Sequence, residues 1–207
     1  MRLSNGEVLL AWPLASHIIT AGWTYNDNKA HNAIDLRAAL KTPAYAAEDG
    51  TVDWTQDWDE RTTTGMMSYG TGVRIRHADY RGGALQTRYA HLSKRLVKTG
   101  DQVREGQLIG YSGATGNCYG AHQHFEVIYK GARVNPLNWM DSDFTVKDAA
   151  VGAHLGRYTS VERPKLAAQM QRITIGPVSI GDAVTIYKQA QALGLVDAGL
   201  YKSEYVG

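Results

Sequence analysis

HQHFEVIY, residues 122–129, is rich in aromatic and β-branched side chains and is typical of a β-strand. Runs of the same kind precede it, separated by turn signals such as Asp49-Gly50 and Glu105-Gly106. They are predicted strands at residues 51–54, 71–77, 85–91 and 107–112. Helical periodicity is absent from about residue 44 to residue 129. The sequence therefore predicts a mainly β fold, with an antiparallel, curled sheet.

Two segments of the predicted sheet have a similar build. TPAYAAEDGTV at residues 42–52 and GDQVREGQLIG at residues 100–110 each contain an extended stretch, an acidic-Gly turn and a second strand. They predict pseudo-repeated hairpins of the kind found in barrel-sandwich folds. Lipoyl and biotinyl carrier domains share this pattern, but neither turn here presents the lysine that would carry the cofactor.

The texture of the chain changes after about residue 141, which suggests a second module. We predict a main domain at residues 1–142, a linker or irregular segment at 143–171, and a small strand-helix-strand module at 172–207. In that α+β module, RITIGPV predicts a strand, and Ser179 is a candidate cap for an amphipathic helix.

Composition excludes several classes of partner. Lys+Arg number 22 and Asp+Glu 20, with no basic run, so nucleic-acid binding is not expected. No apolar stretch approaches the roughly 20 residues that span a bilayer, so the chain is not expected to be membrane-embedded. The apolar residues 8–15 contain Pro13 and lack a basic lead-in, so we predict no signal peptide and synthesis in the cytoplasm.

The chain has seven histidines, and two of them are paired in a predicted strand. His122 and His124 stand two apart, so their side chains leave the same face and can approach one point. Glu126 continues that face and is a candidate partner of a metal ligand or a structural acid. A solvated polar face is the simpler interpretation of the same pattern.

His31 and Asp35 form a second candidate pair in HNAID, where a curved loop-to-strand passage would let both bind one ion. Two histidines and a carboxylate are the donors that catalytic zinc uses, with a fourth position left for water. Cys118 is the only thiol, which excludes a closed, cysteine-rich zinc site. The HExxH motif is absent, so the catalytic base must come from elsewhere, and His91 is the best placed by sequence.

These residues together resemble the lysostaphin-type, LytM-like peptidoglycan endopeptidases. The resemblance covers about residues 19–137 and is carried by His-x-x-x-Asp at His31, by YAHL at residues 89–92 and by HQHFE at residues 122–126. It continues through YGTGVRIRH at residues 69–77 and through GDQVREGQLIGYSGATGN, which begins at Gly100.

The resemblance implies a role for each residue of the site. His31, Asp35 and His124 would bind one Zn²⁺ per chain on the floor of a groove. His91 and His122 would act on the attacking water and on the developing oxyanion. We predict that His122 accepts the proton and leave the reverse order open.

The function implied is hydrolysis of peptide stems or cross-bridges in bacterial peptidoglycan. Relatives collectively cut glycine bridges, D-Ala-Gly links and D-Ala-diaminopimelate cross-links, and the bond is expected to depend on the loops at residues 22–30, 53–69 and 113–119. Trp54 and Trp58 are candidates to line the groove, with a core role for Trp54 as the alternative. The competing function is a catalytically inert wall-binding or regulatory homologue.

Delivery to the wall without a signal peptide indicates a phage lysin or a virion-associated lysin, and a truncated secreted bacterial enzyme is the alternative. The C-terminal module weakly resembles sporulation-related (SPOR-like) peptidoglycan-binding repeats. Wall targeting is one interpretation of it, and packing or self-association is the other, so the oligomeric state stays open.

Overall fold

Strands dominate the part of the chain that the computed structural model describes, residues 6–158. The strands are β1 (Ile18–Ala21), β2 (Ile34–Arg37), β3 (Pro43–Tyr45), β4 (Gly50–Gln56), β5 (Thr71–His77), β6 (Leu85–Arg95), β7 (Gln102–Val103), β8 (Leu108–Ser112), β9 (His122–Tyr129), β10 (Ala132–Val134) and β11 (Thr145–Val146). One short α-helix, α1 (Ala149–Ala153), follows them, and 3-10 turns lie at Gly65–Tyr69 and Pro136–Asn138.

The strands form one mixed sheet in the order β11-β1-β2-β9-β6-β5-β4-β7, with β10 beside β9 and β8 joining β3 to β6. Every pairing in this described sheet is antiparallel except that of β11 with β1. The predicted mainly β class with an antiparallel sheet is therefore confirmed. The predicted strand at residues 122–129 has the same bounds as β9, and β6 runs four residues further than predicted, to Arg95.

The two similar segments pair with each other rather than folding into separate hairpins. β3 pairs with β8, and β4 pairs with β7, so each strand of the first segment has its partner in the second. Their turns face one another, because Gly106 donates a backbone hydrogen bond to Ala46, and Ala46 donates one to Gln107. Matched spacing of strand and turn in both segments makes this reciprocal pairing possible.

The core lies on the face of the sheet opposite the functional face. Phe125 and Tyr89 are cross-strand partners of β9 and β6, both fully buried, with ring centroids 5.3 Å apart. Burying an aromatic side chain of this size contributes about 1.5–3 kcal/mol. Since residues alternate between faces, the burial of Phe125 sets His124 and Glu126 on the other face. The core thus fixes which way the histidines point.

Residues 143–158 pack against the same sheet. Strand β11 pairs with β1, and Asp148 caps α1 by accepting a hydrogen bond from the Val151 backbone at 2.9 Å. His154 then accepts a backbone hydrogen bond from Thr24. The boundaries at residues 142 and 171 stay predictions, and residues 159–171 and the C-terminal module at 172–207 lie outside the described residues.

Candidate active site

Three adjacent strands bring the site together. Asp35 of β2 lies opposite His124 of β9, which lies opposite Ala90 of β6. The methyl side chain of Ala90 takes up little space beside the imidazole. His122 and Glu126 flank His124 at two-residue spacing, so they share its face. The pleat of the sheet therefore places two histidines and two carboxylates on one face.

His31, Asp35 and His124 have their donor atoms within 4.8 Å of one another. Asp35 Oδ1 is 3.2 Å from His31 Nε2 and 3.0 Å from His124 Nδ1, and the two ring nitrogens are 3.2 Å apart. His31 Nδ1 donates to the carbonyl of Gly22 at 2.7 Å, which leaves Nε2 as the atom with a free lone pair. These residues can hold a metal ion with nitrogen and oxygen donors.

The charges of this cluster favour a positive ion. Burial opposes ionisation of Asp35, but hydrogen bonds from His124 and His31 outweigh burial and hold the pKa of Asp35 below its usual range. Burial also opposes protonation of His124, yet hydrogen bonds to Asp35 and Glu126 raise the pKa of His124 to about 9. The ionised carboxylate of Asp35 thus faces ring nitrogens of His31 and His124, where a divalent cation can replace the shared protons.

His91 reaches the groove because β6 is irregular at this point. Its φ is +58°, a left-handed value, and the register with β5 shifts between the pairs Val73↔Tyr89 and Thr71↔Leu92. A bulge of this kind re-aims a side chain, and regular alternation would have turned His91 away from the face of Ala90. The His91 and His124 ring centroids are 5.5 Å apart.

His91 and His122 are both anchored through Nδ1. His91 Nδ1 donates to the Thr115 carbonyl at 2.7 Å, and His122 Nδ1 donates to the Gly120 carbonyl at 2.9 Å. Both rings therefore have Nε2 available, and His122 Nε2 is 3.6 Å from Asp35 Oδ1. Burial, followed by the nearby charge of His124, lowers the pKa of His91 to about 4, which keeps His91 neutral at neutral pH.

The pKa of His122 moves in the opposite direction. Burial lowers it, but the hydrogen bond with Cys118 and the nearby carboxylate of Asp35 outweigh burial and raise it. The Sγ atom of Cys118 lies 3.4 Å from His122 Nδ1. Neither group of described residues that could hold a metal includes this thiol, and one of those groups joins His91 and His122 to His124.

Glu126 is fully buried and joins the metal-capable cluster to a second set of polar groups. Its Oε1 lies 3.4 Å from His124 Nε2 and accepts a hydrogen bond from the Tyr69 hydroxyl at 2.8 Å. Its Oε2 accepts from Arg88 at 2.9 Å, and Arg133 lies 3.3 Å from Oε1. Burial opposes ionisation, but His124 and Arg88 outweigh it and lower the pKa of Glu126 to about 2.

The groove beside the cluster draws on all three loops that the sequence singled out. Tyr25 from the first loop stacks on His31 with centroids 4.3 Å apart. Ser68 and Tyr69 come from the second loop and Asn117 from the third. Trp54 is not among the described groove-lining residues and packs against Arg88 at 5.6 Å instead. Trp58, also absent from that lining, donates its indole N–H to Thr62.

All five residues predicted for the site are brought together, although their individual roles stay predictions. His77 packs between strands, with Nε2 2.9 Å from the Thr87 hydroxyl. Sequence reasoning missed Arg88, Arg133 and the positioning carbonyls of Gly22 and Thr115. The sequence did offer a signal for Arg88, because an arginine within a predicted strand needs an acidic partner if it is buried. Only the register of β6 against β9 identifies that partner as Glu126.

A buried His, His and Asp cluster beside two further histidines is the donor set typical of metal-dependent hydrolases. The sequence profile of Peptidase family M23 matches residues 29–136, which contain all five of these residues. The chain belongs to that family.

Two peptidoglycan DD-endopeptidases of Vibrio cholerae, ShyC and ShyA, are each 40% identical to this chain, over 108 and 107 residues respectively. Each match covers 52% of this chain, and the chain spans only 22% of the length of either relative. What those longer proteins do is therefore a proposal when it is extended to this chain.

Solved structures give the same assignment. A zinc-containing peptidase from Vibrio cholerae superposes with a TM-score of 0.53 at 30% identity, over 67% of this chain and 41% of that one. A variant of the catalytic domain of the prophage-encoded M23 protein EnpA from Enterococcus faecalis superposes with a TM-score of 0.52 at 29% identity, over 62% and 95%. Within residues 6–158, no helix has the length and apolar character needed to cross a membrane.

Proposed function

We propose that this chain is a zinc-dependent endopeptidase that hydrolyses peptide stems or cross-bridges of bacterial peptidoglycan. The observation that carries the proposal is the buried cluster of His31, Asp35 and His124, whose His124 also belongs to a second cluster with His91 and His122. Membership of Peptidase family M23, and relatives named as peptidoglycan DD-endopeptidases, support the substrate class.

The donor set fits zinc. His31 and His124 offer nitrogen, Asp35 offers oxygen, and these are the donors of catalytic sites that keep one position open. The hydrogen bond from His31 to Gly22 holds the imidazole in the tautomer that binds through Nε2. When bound there, zinc would supply Lewis-acid polarisation of the scissile carbonyl and of water.

Both rings donate through Nδ1 to a backbone carbonyl, and their opposite pKa shifts favour His91 as the proton acceptor and His122 as the hydrogen-bond donor to the oxyanion, the reverse of the order predicted first. His91 is neutral, with Nδ1 already donating to Thr115, so its Nε2 can accept a proton from the attacking water. The pKa of His122 is raised by its contacts with Cys118 and Asp35, so His122 holds a proton on Nε2 more readily than His91 does. The proton taken by His91 would then pass to the leaving amine.

Mass spectrometry of fragments released from purified peptidoglycans of several cross-link types tests the proposal. We expect release that a chelator abolishes and zinc restores. His91→Ala and His122→Ala should each lower turnover about 10²- to 10⁴-fold while retaining bound zinc. His17→Ala is the matched control, since its ring stacks on Trp12 outside the groove.

Two results would contradict parts of this proposal. No release from any wall, despite one zinc bound per chain, would favour a wall-binding or regulatory function instead. Near-normal turnover of His91→Ala would remove His91 from the reaction and leave the metal assignment intact.

Delivery by phage lysis machinery, or as part of a virion, is the finer proposal for how the chain reaches the wall. The prophage-encoded catalytic domain, which this chain matches over 95% of its length, supports it. Expression in a susceptible host should leave cells intact until a hole-forming protein is co-expressed. Lysis without that protein would count against this route.

A further inference from the structure

Arg133 lines the groove, and nothing in the proposed reaction uses it so far. It lies on β10, its side chain is 44% exposed, and it is a groove-lining residue together with Tyr69 and Glu126. Its Nη1 lies 3.2 Å from the Tyr69 hydroxyl and 3.3 Å from Glu126 Oε1. Among residues 6–158, Nε and Nη2 of Arg133 have no hydrogen-bond partner.

The positive charge of Arg133 is not needed to balance Glu126. Arg88 already pairs with that carboxylate at 2.9 Å and is itself enclosed, with 10% of its side chain exposed. The guanidinium of Arg88 also lies over the Tyr69 ring at 4.6 Å. One buried acid therefore faces two arginines, and the exposed one contributes a surplus positive charge to the groove.

The position of Arg133 relates this charge to the scissile bond. Glu126 Oε1 contacts Arg133 on one side and His124 Nε2 on the other, while His124 Nδ1 faces Asp35. Two hydrogen-bond lengths and the imidazole ring of His124 thus separate Arg133 from His124 Nδ1, the ring nitrogen that faces Asp35. A group held by Arg133 belongs to the part of the substrate next to the cleaved bond.

We infer that Arg133 binds a free carboxylate on the substrate residue that supplies the leaving amine. A guanidinium is suited to this, because its planar N–H groups match both oxygens of a carboxylate. The acyl residue cannot provide its own backbone carboxyl group, since that group is the scissile carbonyl. The residue on the amine side is the nearest that can keep an α-carboxylate.

This inference rests on the proposed function and narrows its substrate class. A D-Ala-diaminopimelate cross-link leaves a carboxylate on the carbon that carries the scissile nitrogen. A bond within a glycine bridge has no such carboxylate, because that carboxyl group is already in a peptide bond. Arg133 would therefore select the first kind of linkage over the second.

The test uses two synthetic cross-linked dimers that differ only in whether this carboxylate is free or amidated. We expect the zinc-loaded chain to cleave the free form with a kcat/KM about 10- to 100-fold higher, the usual effect of a hydrogen bond to a charged group. Arg133→Gln should bring that ratio close to one by slowing the free form alone. Arg133→Lys should retain part of it, since it keeps the charge and loses the fork.

Arg104→Gln is the matched control, because Arg104 is exposed in the turn before β8 and is not a groove-lining residue. It should leave the ratio unchanged. A ratio near one in the unmutated chain, or an unchanged ratio in Arg133→Gln, overturns the inference. So does release from intact walls without cleavage of the free-carboxylate dimer. Failure to release fragments from any wall overturns the proposed function as well.

Discussion

Replacing Arg88 with Met should destabilise the fold far more than replacing Arg133 with Met, although both arginines contact the same carboxylate. Arg88 is 10% exposed and Glu126 is fully buried, so Arg88→Met leaves a buried charge without its nearest charged partner. Removing one member of a buried pair typically costs about 3–5 kcal/mol. Because Tyr69 and Arg133 still contact Glu126, we expect the lower end, about 3 kcal/mol.

Arg133→Met should cost less than about 1 kcal/mol, as is usual for an ion pair in contact with solvent. Urea unfolding of the zinc-saturated chain, followed by tryptophan fluorescence, measures both values. Heating offers a second readout, since about 3 kcal/mol corresponds to roughly 6–12 °C for a chain of this size. Equal costs for the two variants would refute the reasoning. So would an undiminished effect of Arg88→Met in a Glu126→Gln background, where the buried charge is gone.

Three other outcomes follow from the structure. Thr87→Val should lower the free energy of unfolding by about 1–3 kcal/mol, because the buried hydroxyl contacts both His77 and the Tyr89 hydroxyl. Urea unfolding measures this change. Thr87→Ser keeps the hydroxyl, so a similar loss of stability in that variant would contradict this role. Gly116 has φ +75°, and a Cβ there would lie 2.3 Å from the Gly70 backbone nitrogen. Gly116→Ala should therefore destabilise the fold by more than about 1 kcal/mol. Gly120→Ala is the control and should cost under about 0.5 kcal/mol, because the space around Gly120 is open. Zinc added to chelator-treated protein at about 100 times its dissociation constant should stabilise the fold by about 2.7 kcal/mol, and an unchanged calorimetric midpoint would argue against the metal site.

The candidate metal ligands and catalytic histidines were predictable, because strand periodicity and the order of the motifs can be read from the amino-acid sequence. HQHFE puts His122, His124 and Glu126 on one face whatever the rest of the sheet does. The pairing of Asp35 with His124 needed the register of β2 against β9, which only the folded sheet supplies. The alternation of side chains along a strand was therefore sufficient to identify the residues of the site. The contacts between them could be identified only from the pairing of the strands.

His91 shows where pattern reasoning stops. The YAHL motif predicted His91 as a site residue. Its neighbour Ala90 faces the site, so simple alternation would point the His91 side chain to the opposite face of the sheet. A left-handed backbone at His91 reverses that direction, and because a positive φ is uncommon in any residue other than glycine, the strand pattern does not predict it. Arg133 was missed for a related reason, since β10 is a short strand whose contact with Glu126 arises through the neighbouring strand β9.

The contact between Gly22 and His154 bears on where a shorter catalytic fragment could be cut. A Cβ at Gly22 would lie 2.4 Å from the His154 carbonyl oxygen, so these backbones touch, and Gly22 also accepts the hydrogen bond that orients His31. Ending the chain at residue 142 would remove the backbone contact of His154 with Gly22. It would also remove β11 and leave the edge of β1 unpaired, which favours self-association. A fragment that keeps residues up to 158 should remain monodisperse and bind zinc more tightly than the shorter one.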